Sequence, residues 1–162
     1  MPYYLTRASL QRLREKAETI QQRLKTEVAQ ELGKAAAYKD LRENAEWDAA
    51  IALQSTLKHE VSRILEKIQD AALIEELPIN GDKVTIGTRV TLFDVGKNQE
   101  VTYKIMGEEE SDLQNGVISF NAPLARGLMQ RVPGDEVTVQ LPGGKRTFEV
   151  VSVEKIDFSK LP

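Results

Sequence analysis

Residues 9–77 read SLQRLREKAETIQQRLKTEVAQELGKAAAYKDLRENAEWDAAIALQSTLKHEVSRILEKIQDAALIEEL, with Gly33 the only glycine and no proline before Pro78. Two apolar stripes run through this stretch at spacings of three and four. The first is Leu10, Leu13, Ala17, Ile20, Leu24, Val28 and Leu32; the second is Ala50, Leu53, Leu57, Val61, Ile64, Ile68 and Ala71. Such spacing puts one seam on each of two helices. The stripes also match each other when laid antiparallel. Leu10 faces Ala71, Leu13 faces Ile68, Ala17 faces Ile64, and so on to Val28 with Leu53, every pair equidistant from position 40.5. A constant register predicts a hairpin folded at Asp40–Leu41, with arms of roughly 45 Å at 1.5 Å per residue. Only the seam holds such a hairpin, so its apex carries little packing duty.

Outward from the hairpin the pattern changes. Leu77-Pro78 and Asn80-Gly81-Asp82-Lys83 are a stop and a linker,. Beyond them the apolar period drops to two: Val84 and Ile86, Val90 and Leu92, then Val101, Tyr103 and Ile105,. Val137, Val139 and Leu141 lead into Pro142-Gly143-Gly144, and Phe148, Val150 and Ser152 lead out, a strand hairpin by pattern and turn chemistry,. Pro123 to Met129 predicts a short helix with proline near its start. The fold class is therefore α+β, with a helical hairpin over residues 1–77 and a β-rich unit over 78–162.

Bulk properties narrow the chemistry. The chain has 162 residues, of which 41% are hydrophobic and 29% charged. The net charge of −3 comes from two nearly balanced parts, 12 basic and 13 acidic groups in residues 1–77 and 10 and 12 in the remainder. Neither part is a basic surface for free nucleic acid. With no cysteine, disulfides and thiolate metal sites are excluded,. The first ten residues hold no apolar leader and no run is long enough for a membrane span, so the default expectation is a cytoplasmic protein without membrane contact. His59, the only histidine, reads as a surface residue in mid-helix.

At the expected apex stands Asp40-Leu41-Arg42-Glu43. The spacing serves two chemistries. Asp-x-x-Glu at a helix start is a capping box, in which Asp40 binds backbone N–H groups and Glu43 reaches back. Two carboxylates three residues apart can also share a hard cation such as Mg²⁺. Two oxygen ligands are too few to hold magnesium tightly, so a metal role requires a partner to supply the rest. Glu46 and Asp48 add charge to the same segment.

The segment Asp40-Leu41-Arg42-Glu43-Asn44-Ala45-Glu46-Trp47 resembles the tip motif of the bacterial Gre transcript cleavage factors, D-L-[KR]-E-N-A-E-Y. A second stretch, Val117-Ile118-Ser119-Phe120-Asn121-Ala122-Pro123-Leu124-Ala125-Arg126-Gly127-Leu128, is similar to that family's I-S-x-[ND]-[SA]-P-[IL]-A-R-G-L, and Leu141-Pro142-Gly143-Gly144 with Phe148-Glu149-Val150 also matches. The resemblance spans essentially the whole chain. It implies a coiled coil that enters the secondary channel of bacterial RNA polymerase, and an FKBP-like domain that docks at the channel rim. It implies further that Asp40 and Glu43 act at the polymerase's catalytic centre, sharing a Mg²⁺ held mainly by the polymerase and orienting the water that cleaves backtracked nascent RNA. On this reading the chain is a monomeric co-catalyst and no nuclease by itself. Asn121 and Pro123 fall on the segment used for docking; Pro123 also reads simply as a helix-start proline, and Arg126 as a contact or a structural ion pair.

Four positions depart from the family pattern. Lys39 stands where glycine is usual and Trp47 where tyrosine is usual, while Ile51 and Ala36 replace arginines of the family's RNA-facing basic patch. These departures keep open an alternative within the same binding mode, a paralogue that enters the channel and regulates or inhibits. A coiled-coil chaperone would want apolar tips, and a prolyl isomerase an aromatic-lined pocket; neither pattern is evident here.

Overall fold

The computed structural model describes residues 1–37 and 41–160, apart from the side chains of residues 41–44. It divides into two compact units, Leu10–Asp70 and Met1–Ser9 together with Ala71–Pro162. The first is the expected helical hairpin: α1 (Arg7–Lys25), α2 (Glu27–Ala36) and α3 (Leu41–Gln69). Leu13, Ala17, Ile20 and Val28 of the first stripe are buried, as are Ala50, Leu57, Val61 and Ile64 of the second. Lys16 Nζ and Glu60 Oε1 pair across the arms at 3.4 Å. Burial fails at Leu53, which is 40% exposed.

The break between α1 and α2 is a single residue, Thr26, with φ −108° and ψ −82°. Both its N–H and its Oγ1 donate to the carbonyl of Gln22, at 3.0 and 2.9 Å, and its own carbonyl accepts from the Gln30 N–H at 2.9 Å. The hydrogen-bond ladder therefore passes through the irregularity. A hydroxyl that competes for the carbonyl four residues back bends a helix in this way.

The descending helix stops earlier than its stripe suggests. It ends at Gln69, and Ala71–Leu73 is a strand, β2. This strand pairs in parallel with β1 (Tyr3–Leu5), in the register Tyr3↔Ala71, Tyr4↔Ala72, Leu5↔Leu73. The compact units part at residues 9/10 and 70/71, so the N-terminal strand and β2 both belong to the β-rich unit. A strand partner nearly seventy residues upstream supplies backbone hydrogen bonds that outweigh the helical pattern. Leu5 and Ile74 are fully buried in that unit.

The remaining strands are β3 (Thr88–Asp94), β4 (Gln99–Met106), β5 (Val117–Ser119), β6 (Glu136–Leu141) and β7 (Gly144–Lys155). They form one sheet in the order β5-β4-β3-β7-β6, antiparallel except for β4 with β5. Leu141 opposite Gly144 closes the expected hairpin over a two-residue loop. Between Thr91 and Leu92 the β3–β7 register skips one residue of β7, leaving Val151 outside the ladder and exposed,. The core gathers Val90, Leu92, Ile105, Leu128, Phe148 and Val150 beneath the short helix α4 (Pro123–Leu128).

Val84 is buried but belongs to no strand. Its N–H and carbonyl bond instead to the Arg131 carbonyl (2.9 Å) and the Gln130 N–H (2.8 Å). The expected alternation at Val84 and Ile86 thus reports burial without sheet pairing. Gly87 ends this segment at φ +87°, which strains any other residue, and a Cβ there would displace the Ile79 side chain from 2.2 Å, so the position favours glycine,.

Candidate functional site

Two regions carry the expected residues. At the hairpin apex, α2 ends at Ala36 and α3 begins at Leu41. Asp40 lies outside the described residues, and Glu43 falls in the first turn of α3 with its side chain also outside them. The flanks are described. Glu31, Lys34 and Ala35 of α2 and Glu46, Ala49, Ala50 and Leu53 of α3 line a cleft of about 380 Å³. Small side chains leave the seam shallow here. Trp47, 38% exposed, lies one turn beyond Glu43, and Ile51, 39% exposed, one turn beyond Trp47,. The face on which the family pattern has arginine is therefore apolar and open to solvent. Among the described residues no group of three or more His, Cys, Asp or Glu could hold a metal ion.

The second region lies in the β-rich unit, where β5 turns into α4. The Phe120 N–H donates to the Met106 carbonyl (2.9 Å) and the Ala122 N–H to the Ser119 carbonyl (2.9 Å), which folds residues 119–122 into a tight corner. Asn121 projects from that corner. Its N–H donates to Ser119 Oγ (3.1 Å) and its Nδ2 to Glu108 Oε1 (3.0 Å). Pro123 opens α4 after an extended Ala122 (φ −63°, ψ 148°), as a helix-start proline does,. It is exposed as well, so the capping duty leaves its outer face open. Arg126 is exposed and enters no ion pair among the described residues.

Periodicity gave no sign of the surface beside Asn121. The N-terminal strand runs along the turn Glu108–Glu110. Gly107 makes this approach possible, because a Cβ there would fall 2.1 Å from the Tyr4 carbonyl oxygen. The Tyr4 and Phe120 rings meet edge to face with centroids 5.6 Å apart,. Met1, Pro2, Tyr3, Tyr4, Glu108, Phe120 and Asn121 line a cleft of about 260 Å³. Pro123 is not among them. Tyr3 Oη donates to Glu109 Oε1 at 2.6 Å. Partial burial, then the carboxylate bond and the charges of Glu109, Glu108 and Glu110, push the Tyr3 hydroxyl well above the usual phenol range,. A sequence signal existed in Tyr3-Tyr4 and the Glu108-Glu109-Glu110 run, but nothing local joins segments a hundred residues apart.

Comparison with known proteins also matches the chain in two parts. Residues 3–73 match the family described as "Transcription elongation factor, N-terminal", and residues 79–155 match "Transcription elongation factor, GreA/GreB, C-term". A transcription elongation factor GreA from Alkalilimnicola ehrlichii is 38% identical over 150 residues, covering 92% of this chain and 95% of that protein. One from Xanthomonas axonopodis pv. citri is 36% identical over 154 residues, covering 94% and 98%. The crystal structure of GreA factor homolog 1 from Thermus thermophilus is 23% identical, covers 95% of this chain and 99% of its own, and superposes with a TM-score of 0.41. Among the described residues no helix is long and apolar enough to cross a membrane.

Proposed function

This chain belongs to the GreA/GreB family of transcription elongation factors, and on that premise we propose that its hairpin enters the secondary channel of RNA polymerase and stimulates cleavage of backtracked RNA. Asp40 and Glu43 are the residues that act. What supports the reading is that α3 begins at Leu41, the residue that follows Asp40 in sequence, and has Glu43 in its first turn, so the pair brackets the start of the second arm. Their carboxylates are hard oxygen donors suited to Mg²⁺, yet two are too few to hold it, so the ion is shared with the polymerase's own carboxylates. Bound there, magnesium lowers the pKa of water and offsets charge on the phosphate. Asp40 and Glu43 orient the attacking water and add negative charge beside the ion, brought there by the hairpin. The factor is then a co-catalyst, acting as a monomer in the cytoplasm where the polymerase works. Asn121 and Pro123 belong to the surface that docks at the channel rim.

The test is RNA cleavage in a stalled, backtracked polymerase complex with Mg²⁺. Native protein is expected to accelerate it, Asp40→Ala/Glu43→Ala to bind without accelerating it, and the protein without polymerase to cleave nothing. Cleavage by the protein alone would overturn the co-catalyst assignment. The regulator reading draws on Ile51 and Ala36, which stand where the resemblance expects arginines, with Lys34, Lys39 and Arg42 as the basic residues nearby in sequence. Native protein that binds polymerase and slows cleavage would select it.

A further inference from the structure

We propose that the cleft between the N-terminal strand and the β5–α4 corner seats a segment of the polymerase that presents a lysine or arginine beside a bulky apolar side chain. This deepens the docking part of the function above and rests on it. Size comes first. At about 260 Å³ the cleft is smaller than the usual small-molecule site and suits one or two side chains of a protein partner,. Its floor and walls are aromatic and apolar, from Pro2, Tyr4 and Phe120, the kind of lining that forms the centre of protein interfaces.

Charge selects the occupant. The turn at the cleft's edge carries Glu108, Glu109 and Glu110 in succession. Two of them work within the fold: Glu110 accepts the N–H groups of Gly107 (3.1 Å) and Thr6 (3.3 Å), and Glu109 accepts the Tyr3 hydroxyl. Glu108 is exposed, lines the cleft, and accepts only the neutral Asn121 amide; among the described residues no lysine or arginine pairs with it. A partner cation at this edge completes the charge balance, and a partner side chain over the Tyr4 and Phe120 rings excludes water from the pair. The same acids repel phosphate, so the cleft does not bind RNA. The site is also preformed. Gly107 locks β1 against the turn, Tyr3 is tied to Glu109, and Asn121 to Glu108, so docking orders few side chains,.

The experiment measures affinity for the polymerase by competition against a fluorescent native factor, at two salt concentrations. Glu108→Lys is expected to weaken binding at least about tenfold and to flatten its salt dependence. Phe120→Ala is expected to weaken it by a similar factor without changing that dependence. Glu136→Lys, an equal charge change on exposed β6, serves as the control and is expected to bind as native. Glu108→Lys changes an exposed side chain whose hydrogen bond is to the exposed Asn121 amide and leaves the buried core untouched, so its result stands even if Phe120→Ala unfolds. Native-like binding by Glu108→Lys, with native protein still stimulating cleavage, overturns the cleft and leaves the family function intact. If native protein neither binds nor stimulates, both fall together.

Discussion

Arg146 donates to the carboxylate of Asp94, whose side chain is only 2% exposed, while its guanidinium carbon stands 5.2 Å from the centre of the Phe148 ring. The pair ties the start of β7 to the end of β3, and the Lys97 N–H is a second donor to the same carboxylate at 3.2 Å. Removing the arginine strands a buried charge. Arg146→Ala is expected to destabilise the β-rich unit by about 2–3 kcal/mol, below the usual penalty for breaking a buried pair because the arginine itself is partly solvated. Urea denaturation followed by circular dichroism measures this; a loss under about 0.5 kcal/mol would show the pair to be idle.

The tip acids should reveal themselves through magnesium as well as rate. Asp40→Asn and Glu43→Gln are each expected to lower stimulated cleavage by roughly 10²–10³-fold, the range for removing one preorganised electrostatic group. Each should also raise the Mg²⁺ concentration needed for half-maximal cleavage. Titrating Mg²⁺ at a saturating concentration of factor separates this from weaker docking. An unchanged magnesium requirement would remove the shared-ion role, and an unchanged rate as well would mean that the acids serve only as a helix cap.

Gly107 is a steric requirement rather than a conformational one, since its φ of −80° is open to any residue. Gly107→Ala would drive a methyl group into the Tyr4 carbonyl. The expected cost is about 1–3 kcal/mol, with faster hydrogen exchange confined to β1 and β2. Exchange mass spectrometry on the variant tests the locality, and uniform loosening of the whole chain would contradict it.

Ile51 offers a gain-of-contact test. It is half-exposed on α3, so Ile51→Arg should leave the unfolding free energy within the range of a surface change, about ±0.5 kcal/mol,. In a backtracked complex the new guanidinium is expected to strengthen crosslinking of the factor to the RNA 3′ segment. No change in crosslinking would place this face away from RNA.

Tyr3 sets an alkaline limit. Its proton is held more tightly in the folded state than in the unfolded chain, so the associated stability is complete below about pH 10, the unfolded phenol value, and declines as pH rises above it,. Tyr3→Phe should therefore lose less stability between pH 9 and pH 11 than the native protein. Parallel unfolding curves across that interval would disprove the linkage.

The long-range symmetry of the hairpin is legible in the sequence because a seam of period three to four repeats over sixty residues, and each arm checks the other. The place of the reversal is legible for the same reason: the stripes share a midpoint at 40.5, and α2 ends at Ala36 while α3 begins at Leu41. What periodicity cannot show is pairing between distant short segments. Tyr3–Leu5 and Ala71–Leu73 have only three residues each and no alternation long enough to read. Val84 reads as a strand residue because burial and sheet pairing leave the same apolar mark. The cleft beside Asn121 escapes such a reading because its members are separated by more than a hundred positions and meet only through tertiary contacts.

The β1–β2 pairing gives the hairpin an unexpected standing in the chain's topology. Parallel neighbours cannot be joined by a tight turn and need a crossover of a dozen residues or more. Here everything from Thr6 to Asp70 is that crossover, so the working arm is an insertion whose two ends are stitched into one small sheet. Its length is then a free design variable. Adding or removing whole helical turns in both arms leaves the stitch untouched, and lengthening a connection carries only a logarithmic entropic cost. A lineage, or an engineer, could retune how far the acidic tip extends without redrawing the platform from which it springs.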